Sequence, residues 1–287
     1  MVSNPAKPTP TRELEAIWRE YDAIESRLSA PLSERMVQLA RLRRGDHVLD
    51  LASGRGDPAL HAATHVGETG SVTAVDREPG LLRMAEEKAR KAGLNQMRFI
   101  AADAAELEPQ SFPLFDAVFV RWGLMYMEAP VSVLGRARVM MRPGARLVLA
   151  LWAEPERVAY YRLPRQVLSR YRSLPAIDFD LPGPFRYADL ERLRRDLEAG
   201  GFSLCAIEEM EVPVMEAENA DALLAWAHTF GLAALLEPLS EAKRHAWAAD
   251  FIAAAKAYEV DGCVRLGGTS RIVVATPGDV GSISTQV

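Results

Sequence analysis

HVLDLASGRGDPAL, residues 47–60, is the stretch from which the rest of the chain is read. Val48, Leu49 and Leu51 form a short apolar run that ends at a glycine turn, Gly54 and Gly56, as a buried strand does. After the turn, Asp57 is expected as a helix N-cap and Pro58 as the first helical residue. Glycines let a ligand approach the backbone where a side chain would block it. The unpaired N–H groups and partial positive charge of a helix N-terminus suit a carboxylate or phosphate. The segment therefore predicts a strand, a tight turn and a helix, with a nucleotide-like ligand at the end of a first parallel strand.

Gly54-x-Gly56-x-x-Ala59 also fits the dinucleotide fingerprint, with Asp76 about 20 residues further on. Three carboxylates move the reading away from NAD. Asp50 sits at the end of the first strand, Asp76 closes SVTAVD and Asp103 closes MRFIAAD. The carboxyl ends of successive parallel strands converge on the crevice where open α/β sheets bind ligands. So much negative charge repels a pyrophosphate. It matches a sulfonium cofactor that carries an ammonium group, a ribose diol and an adenine amine.

From Val48 to Thr276 the chain resembles the class I S-adenosylmethionine-dependent methyltransferases. Asp50-Leu51-Ala52-Ser53-Gly54-Arg55-Gly56 is similar to their D/E-x-G-x-G-x-G loop, with Ala52 where the first glycine is usual. Alanine keeps that turn if its φ is negative. The look is nearest to the ubiquinone/menaquinone-biosynthesis-like branch that methylates small molecules, which Tyr21-Asp22 and the short spacing to Asp50 also suggest. The resemblance implies an α/β, Rossmann-like doubly wound sheet with a terminal antiparallel strand pair and a helical lid. It implies S-adenosyl-L-methionine as cofactor and a loop (Ala52, Ser53, Gly54, Gly56, Pro58) whose backbone holds the methionine part. Asp76 would hold the ribose hydroxyls, Asp103 and Ala104 would meet the adenine, and Leu81 would pack on its face. Tyr21, Asp50, Arg77, Ala102 and Arg121 complete the cofactor set.

The chain has 287 residues, 49% hydrophobic and 25% charged, which is ordinary globular composition. About 150 residues per domain would allow two domains. A single strand–glycine–helix start favours one domain with a helical cover. A net charge of −5 gives no footprint for a nucleic-acid backbone. The two cysteines, Cys205 and Cys263, make neither a disulfide framework nor a metal site and are expected as buried free thiols in a reducing compartment. With no apolar run of about 18 residues and no apolar signal core, the expected location is cytoplasmic with no membrane span.

The chain divides into an N-terminal helical cover (1–40), a cofactor-binding core (41–152), an aromatic and proline-rich lid insert (153–200), a C-terminal strand pair (201–277) with a helical insertion (217–258), and a disordered tail (278–287). Leu14, Ile17, Trp18 and Tyr21 give one apolar helical face, and a second helix is expected near Ser33–Arg41. Further helices are expected over Leu81–Ala92, Val131–Met141 (stopped by Pro143-Gly144), Tyr160–Tyr171, Tyr187–Glu198, Ala220–Leu236 and Glu241–Tyr258. Strands are expected over Phe202–Val214 and Val264–Ala275.

Methyl transfer from a sulfonium needs an acceptor held close and in line, with its lone pair free and water kept out. Trp18, Tyr21, Trp122, Met125 and Tyr126 are the candidate walls of a small-molecule acceptor site. The loop Arg121-Trp122-Gly123-Leu124 lacks the Asn/Asp-Pro-Pro-Tyr/Phe motif that often accompanies nucleobase-amine acceptors, and no Asp-Asn pair suggests magnesium. His228, in LLAWAHTFGL, and Tyr126 are the candidate general bases, with Tyr160 behind them. His47 reads as structural, and His61 and His65 as lying on a solvent-facing or packed side of the first helix. The arginines of residues 162–172 and 192–195 read as solvated helix faces, with recognition of an anionic acceptor as the alternative. The expected function is methyl transfer to a small-molecule oxygen or carbon, with nitrogen possible. An NAD-dependent oxidoreductase and a non-catalytic cofactor-binding regulator are the alternatives, and the oligomeric state is open.

Overall fold

Among the described residues, eight strands form one sheet in the order β3-β2-β1-β4-β5-β8-β6, with β7 paired to β8 alone. They are β1 His47–Leu51, β2 Ser71–Asp76, β3 Met97–Ala101, β4 Phe115–Arg121, β5 Met141–Trp152, β6 Phe202–Ala217, β7 Glu259–Val260 and β8 Cys263–Pro277. This computed structural model describes residues 11–227 and 233–278. Strands β1 to β5 pair in parallel, and β8 turns back antiparallel to β5, from Leu147 opposite Ala275 to Trp152 opposite Ser270. Chain order reverses between β1 and β4, the switch point at which such sheets open a crevice. Val48, Leu49 and Leu51 are buried, as a central parallel strand covered on both faces requires.

The helices are α1 Thr11–Ala40, α2 Ala59–Val66, α3 Pro79–Lys91, α4 Pro130–Val139, α5 Ala159–Leu168, α6 Leu190–Ala199, α7 Ala220–Ala227, α8 Ala233–Leu236 and α9 Glu241–Ala255. Helix α3 shows how local sequence sets its bounds. Proline stands in its first turn, Lys88, Arg90 and Lys91 in its last, and Gly93 follows at φ +70°. The described residues fall into two compact units. One comprises Ala30–Trp152, Phe179–Met210 and the chain from Ser270; the other comprises the chain up to Ser29, Ala153–Asp178 and Glu211–Thr269. The second unit has its own core, in which Trp247 stacks on Phe251 at 5.2 Å beside Leu163, Trp226 and Leu266.

Two boundaries differ from expectation. A single 30-residue helix, α1, replaces the expected pair and runs through Pro31. Helix α4 ends at Val139, and Pro143-Gly144 falls inside β5 instead of before it. Phe115 pairs with Met141 and Ala117 with Arg146, so residues 142–145 bulge from the β4–β5 ladder. Proline has no N–H to give a ladder, which places it in such a bulge.

Candidate functional site

The carboxyl ends of β1, β2, β3 and β4 surround a cavity of about 360 Å³. Ala52 and Gly54 line it from the loop after β1, Asp76, Arg77 and Leu81 from the end of β2 and helix α3, and Ala102 to Ala105 from the end of β3. Trp122, Gly123 and Tyr126 to Ala129 line it from beyond β4. Asp76 is 8% exposed, and each of its oxygens accepts one backbone N–H: Oδ1 from Glu78 at 2.9 Å, Oδ2 from Gly54 at 2.7 Å. A carboxylate oxygen has two lone pairs, so both oxygens keep capacity for a further donor. Burial pushes the Asp76 carboxyl above its ordinary range, and the two N–H bonds oppose that rise. Asp103 Oδ1 accepts from Ala105 N at 2.8 Å and opens a short 3-10 turn. Gly54 has φ +53°, and the direction of its missing side chain meets no atom within 4 Å, so its backbone is open to a ligand.

Asp50 lies behind the loop, fully buried. Its Oδ2 accepts from Ala59 N at 3.1 Å, while its Oδ1 and the nearby Ser53 Oγ have no hydrogen-bond partner. Burial pushes the Asp50 carboxyl well above the usual range, with Arg121 drawing it back. The Asp50 bond also corrects the expected capping: the strand-end carboxylate caps α2, which begins at Ala59 rather than Pro58. Asp57 is turned elsewhere, with its carboxylate 3.5 Å from His61 Nε2 and 3.9 Å from both Lys88 Nζ and Arg121 Nη2. Burial works against the charge of Asp57, but His61, Arg121 and Lys88 together hold its pKa far below the ordinary range.

The remaining expected residues separate by position. Ala52 has φ +55°, not the negative value expected. The conformation fits because residue 123 is glycine: a side chain there would stand 2.6 Å from the Ala52 methyl. Gly56, at φ +101°, has Leu60 and Ala85 in its side-chain direction, so its close approach is to the helices. Pro58, Ser53 and Arg121 are not among the cavity-lining residues; Arg121 Nε donates to Asp57 O at 3.1 Å. Trp122 lines the cavity, stacked on Trp152 at 4.5 Å and donating from Nε1 to Ser270 Oγ at 3.1 Å. Tyr126 also lines it and is 44% exposed. Met125 is buried beside Leu124 and does not line the cavity; only Tyr126 of that short 3-10 turn is exposed. Tyr21 packs on the core of the second unit, and Trp18 is half-buried on α1. His228 lies outside the described residues.

Two bland expectations also change. Both cysteines are free, but Cys205 is exposed and Cys263 only half-buried, not buried as expected. The arginines of residues 162–172 are tied into their unit: Arg162 donates to Tyr258 Oη, Arg165 stacks over Tyr161 at 4.0 Å and Arg172 donates to Leu235 O. The cavity-lining residues missed from sequence are Ala105, Gly123 and Met127 to Ala129. Gly123 carried a readable signal, a glycine directly after a buried strand. The Met127 segment carried none, since it is placed by Arg186, whose Nη1 donates to Met127 O at 2.6 Å from far along the chain.

Residues 13–179 match the model of the ubiE/COQ5 methyltransferase family. The chain belongs to that family. It is 31% identical over 179 residues to the ubiquinone/menaquinone biosynthesis C-methyltransferase UbiE of Escherichia fergusonii, covering 58% of this chain and 70% of that one. Two solved structures share the fold. The YcgJ protein of Bacillus subtilis gives a TM-score of 0.57 at 15% identity, covering 86% of this chain and 98% of its own. The [4+2]-cyclase SpnF gives 0.52 at 20% identity, covering 86% and 81%. The protein is an S-adenosylmethionine-dependent methyltransferase acting on a small molecule. Nothing in these likenesses supports the oxidoreductase or non-catalytic alternative. Among the described residues no helix is long and apolar enough to cross a membrane, and no cluster of metal-ligating side chains is present.

Proposed function

We propose that the cavity beside Asp76 and Asp103 is the cofactor pocket and that the acceptor is a carbon or oxygen nucleophile of a small molecule. Spare acceptor capacity on a buried Asp76 carries the reading, since a vicinal diol offers the two donors it lacks. Leu81, Ala102, Ala104 and Ala105 form the flat apolar surface an adenine needs, with Asp103 beside it as acceptor for the exocyclic amine. The unpaired Oδ1 of Asp50 and Oγ of Ser53 suit the methionine ammonium behind the Gly54 backbone. Arg121 and Gly56 support the loop from beneath, through Asp57 and helix α2. When bound, the cofactor supplies an electrophilic methyl group with a neutral leaving group.

Trp122, fixed by Trp152 and Ser270, is a rigid wall against which a planar acceptor would be oriented. Tyr126, exposed beside it, is the group placed to take a proton from the acceptor, and His228 remains a second candidate base. A carbon nucleophile is favoured because the UbiE relative is named a C-methyltransferase. Two free cysteines support a cytoplasmic location. Calorimetric titration with S-adenosylhomocysteine, against NADH as control, tests the pocket on wild type and Asp76→Ala. Micromolar binding of S-adenosylhomocysteine that is lost in a variant retaining a cooperative melt is expected. Binding of NADH in its place would overturn the assignment.

A further inference from the structure

At the other ends of the same strands lies a second depression of about 350 Å³. It is lined by Arg41 and Arg43 after α1, Asp46 before β1, Asp116 in β4, and Arg142 and Arg146 in the β5 bulge region. Four guanidinium groups face two carboxylates in a chain whose net charge is −5, so the local sign is reversed against the whole. The carboxylates are already engaged. Asp46 Oδ2 accepts from Arg43 N at 2.7 Å; Asp116 Oδ2 accepts from His47 N at 2.8 Å and pairs with Arg142. Arg146 Nη1 donates to Leu39 O, the last turn of α1, at 2.8 Å. Neither Arg41 nor Arg43 has a side-chain hydrogen bond or ion pair among the described residues, and both are exposed.

The backbone supplies an independent observation. Arg41 stands at the end of α1 with φ +56°, a left-handed position that helix ends usually give to glycine. An L-residue there costs of order 1–2 kcal/mol, so an arginine in place of a glycine calls for a compensating role. The bulge of β5 also keeps Gly144, at φ +80°, open on the same rim, with no atom within 4 Å of its side-chain direction.

We propose that this depression binds a compact phosphate-bearing anion of about diphosphate size, at the end of the strands opposite the cofactor cavity. Guanidinium forks match phosphate oxygens in bidentate pairs. Arg41 and Arg43 provide the uncommitted charge, and Arg142 and Arg146 form the fixed floor. A half-open depression of this size suits a diphosphate group; a polynucleotide needs a longer basic track. The source of the phosphate is either a free anion or a lipid headgroup, and the two are separable.

The test is calorimetric titration of the full chain with inorganic pyrophosphate at fixed ionic strength. Flotation with phosphatidylcholine vesicles, with and without phosphatidic acid, runs in parallel. Saturable one-site pyrophosphate binding, unchanged by excess S-adenosylhomocysteine and by Asp76→Ala, is expected, and it assigns a free anion. Flotation only with phosphatidic acid vesicles assigns a headgroup. In either arm the double variant Arg41→Gln/Arg43→Gln binds at least about tenfold more weakly. Arg41→Gly separates ligand binding from structure: it relieves the positive φ, so the melting temperature rises while binding falls. If neither probe binds, or if these variants bind as wild type does, the proposal is wrong.

Discussion

Ala52 and Gly123 form a pair whose energetics follow from their geometry. Ala52 is held at φ +55°, where an L-residue costs of order 1–2 kcal/mol. Ala52→Gly removes that strain but loosens the unfolded chain, which takes back about 0.4–1 kcal/mol. The expected net effect is a stabilisation of about 0.5–1 kcal/mol, a rise in melting temperature of roughly 1–4 °C for a chain this long. Gly123 has an ordinary φ of −105°, so alanine there meets no backbone strain. Its added methyl instead stands 2.6 Å from the Ala52 methyl and 3.1 Å from Val120 Cγ1. Overpacking of that kind costs about 1–3 kcal/mol. In the Ala52→Gly background the closer of the two collisions is gone, so Gly123→Ala is expected to cost less than half as much. Urea unfolding of the four proteins gives the coupling energy directly. An equal cost of Gly123→Ala in both backgrounds, or a destabilising Ala52→Gly, would refute the reasoning.

Two further predictions concern buried carboxylates. The pKa of Asp57 is depressed, so its stabilisation is fully present above the unfolded value, about 3.9, and fades as pH falls toward the folded one. Asp57→Asn, which removes the carboxylate that faces Arg121 and Lys88, is expected to cost about 3 kcal/mol in urea at pH 7, with the larger part of that cost still present at pH 3 because the folded pKa lies far lower. Asp50 is the opposite case: its raised pKa means the folded state binds the extra proton, and stability falls as pH rises through the window above about 3.9. Asp50→Asn keeps the acceptor for Ala59 N and removes the desolvated charge, so the free protein should gain about 1 kcal/mol at pH 7 while its affinity for S-adenosylhomocysteine drops. A loss of stability at pH 7 with affinity intact would contradict both halves.

What sequence reading reached was set by range. Strands β1, β2 and β4 and helix α3 announce themselves locally, through apolar runs, a strand-final aspartate, or a proline start and glycine stop. The positions of Asp76, Leu81, Asp103 and Ala104 on one cavity follow from topology once those strands are parallel. Errors arose where a distant residue decided a local conformation. The room for the Ala52 methyl depends on Gly123, and the Asp57 carboxylate faces Lys88 and Arg121. The cap of α2 comes from Asp50, nine residues earlier on a strand, which no capping pattern encodes. The cavity wall at Met127 depends on Arg186 in the same way.

The glycine loop concentrates features that oppose stability: a left-handed alanine, a fully buried carboxylate with one oxygen unpaired, and a buried serine hydroxyl without a partner. A protein selected for stability alone would have glycine at position 52 and no charge at position 50. The two unpaired oxygens gain a partner if a cation occupies the loop, and the left-handed alanine is the strain that binding has to offset. Ligand binding at about 100 times Kd returns about 2.7 kcal/mol, enough to offset a strain of this size. The fold tolerates the loop because buried strand β1 at one end and the buried face of helix α2 at the other fix its ends. If the proposed cofactor site is right, substitutions in the loop should move stability and cofactor affinity in opposite directions.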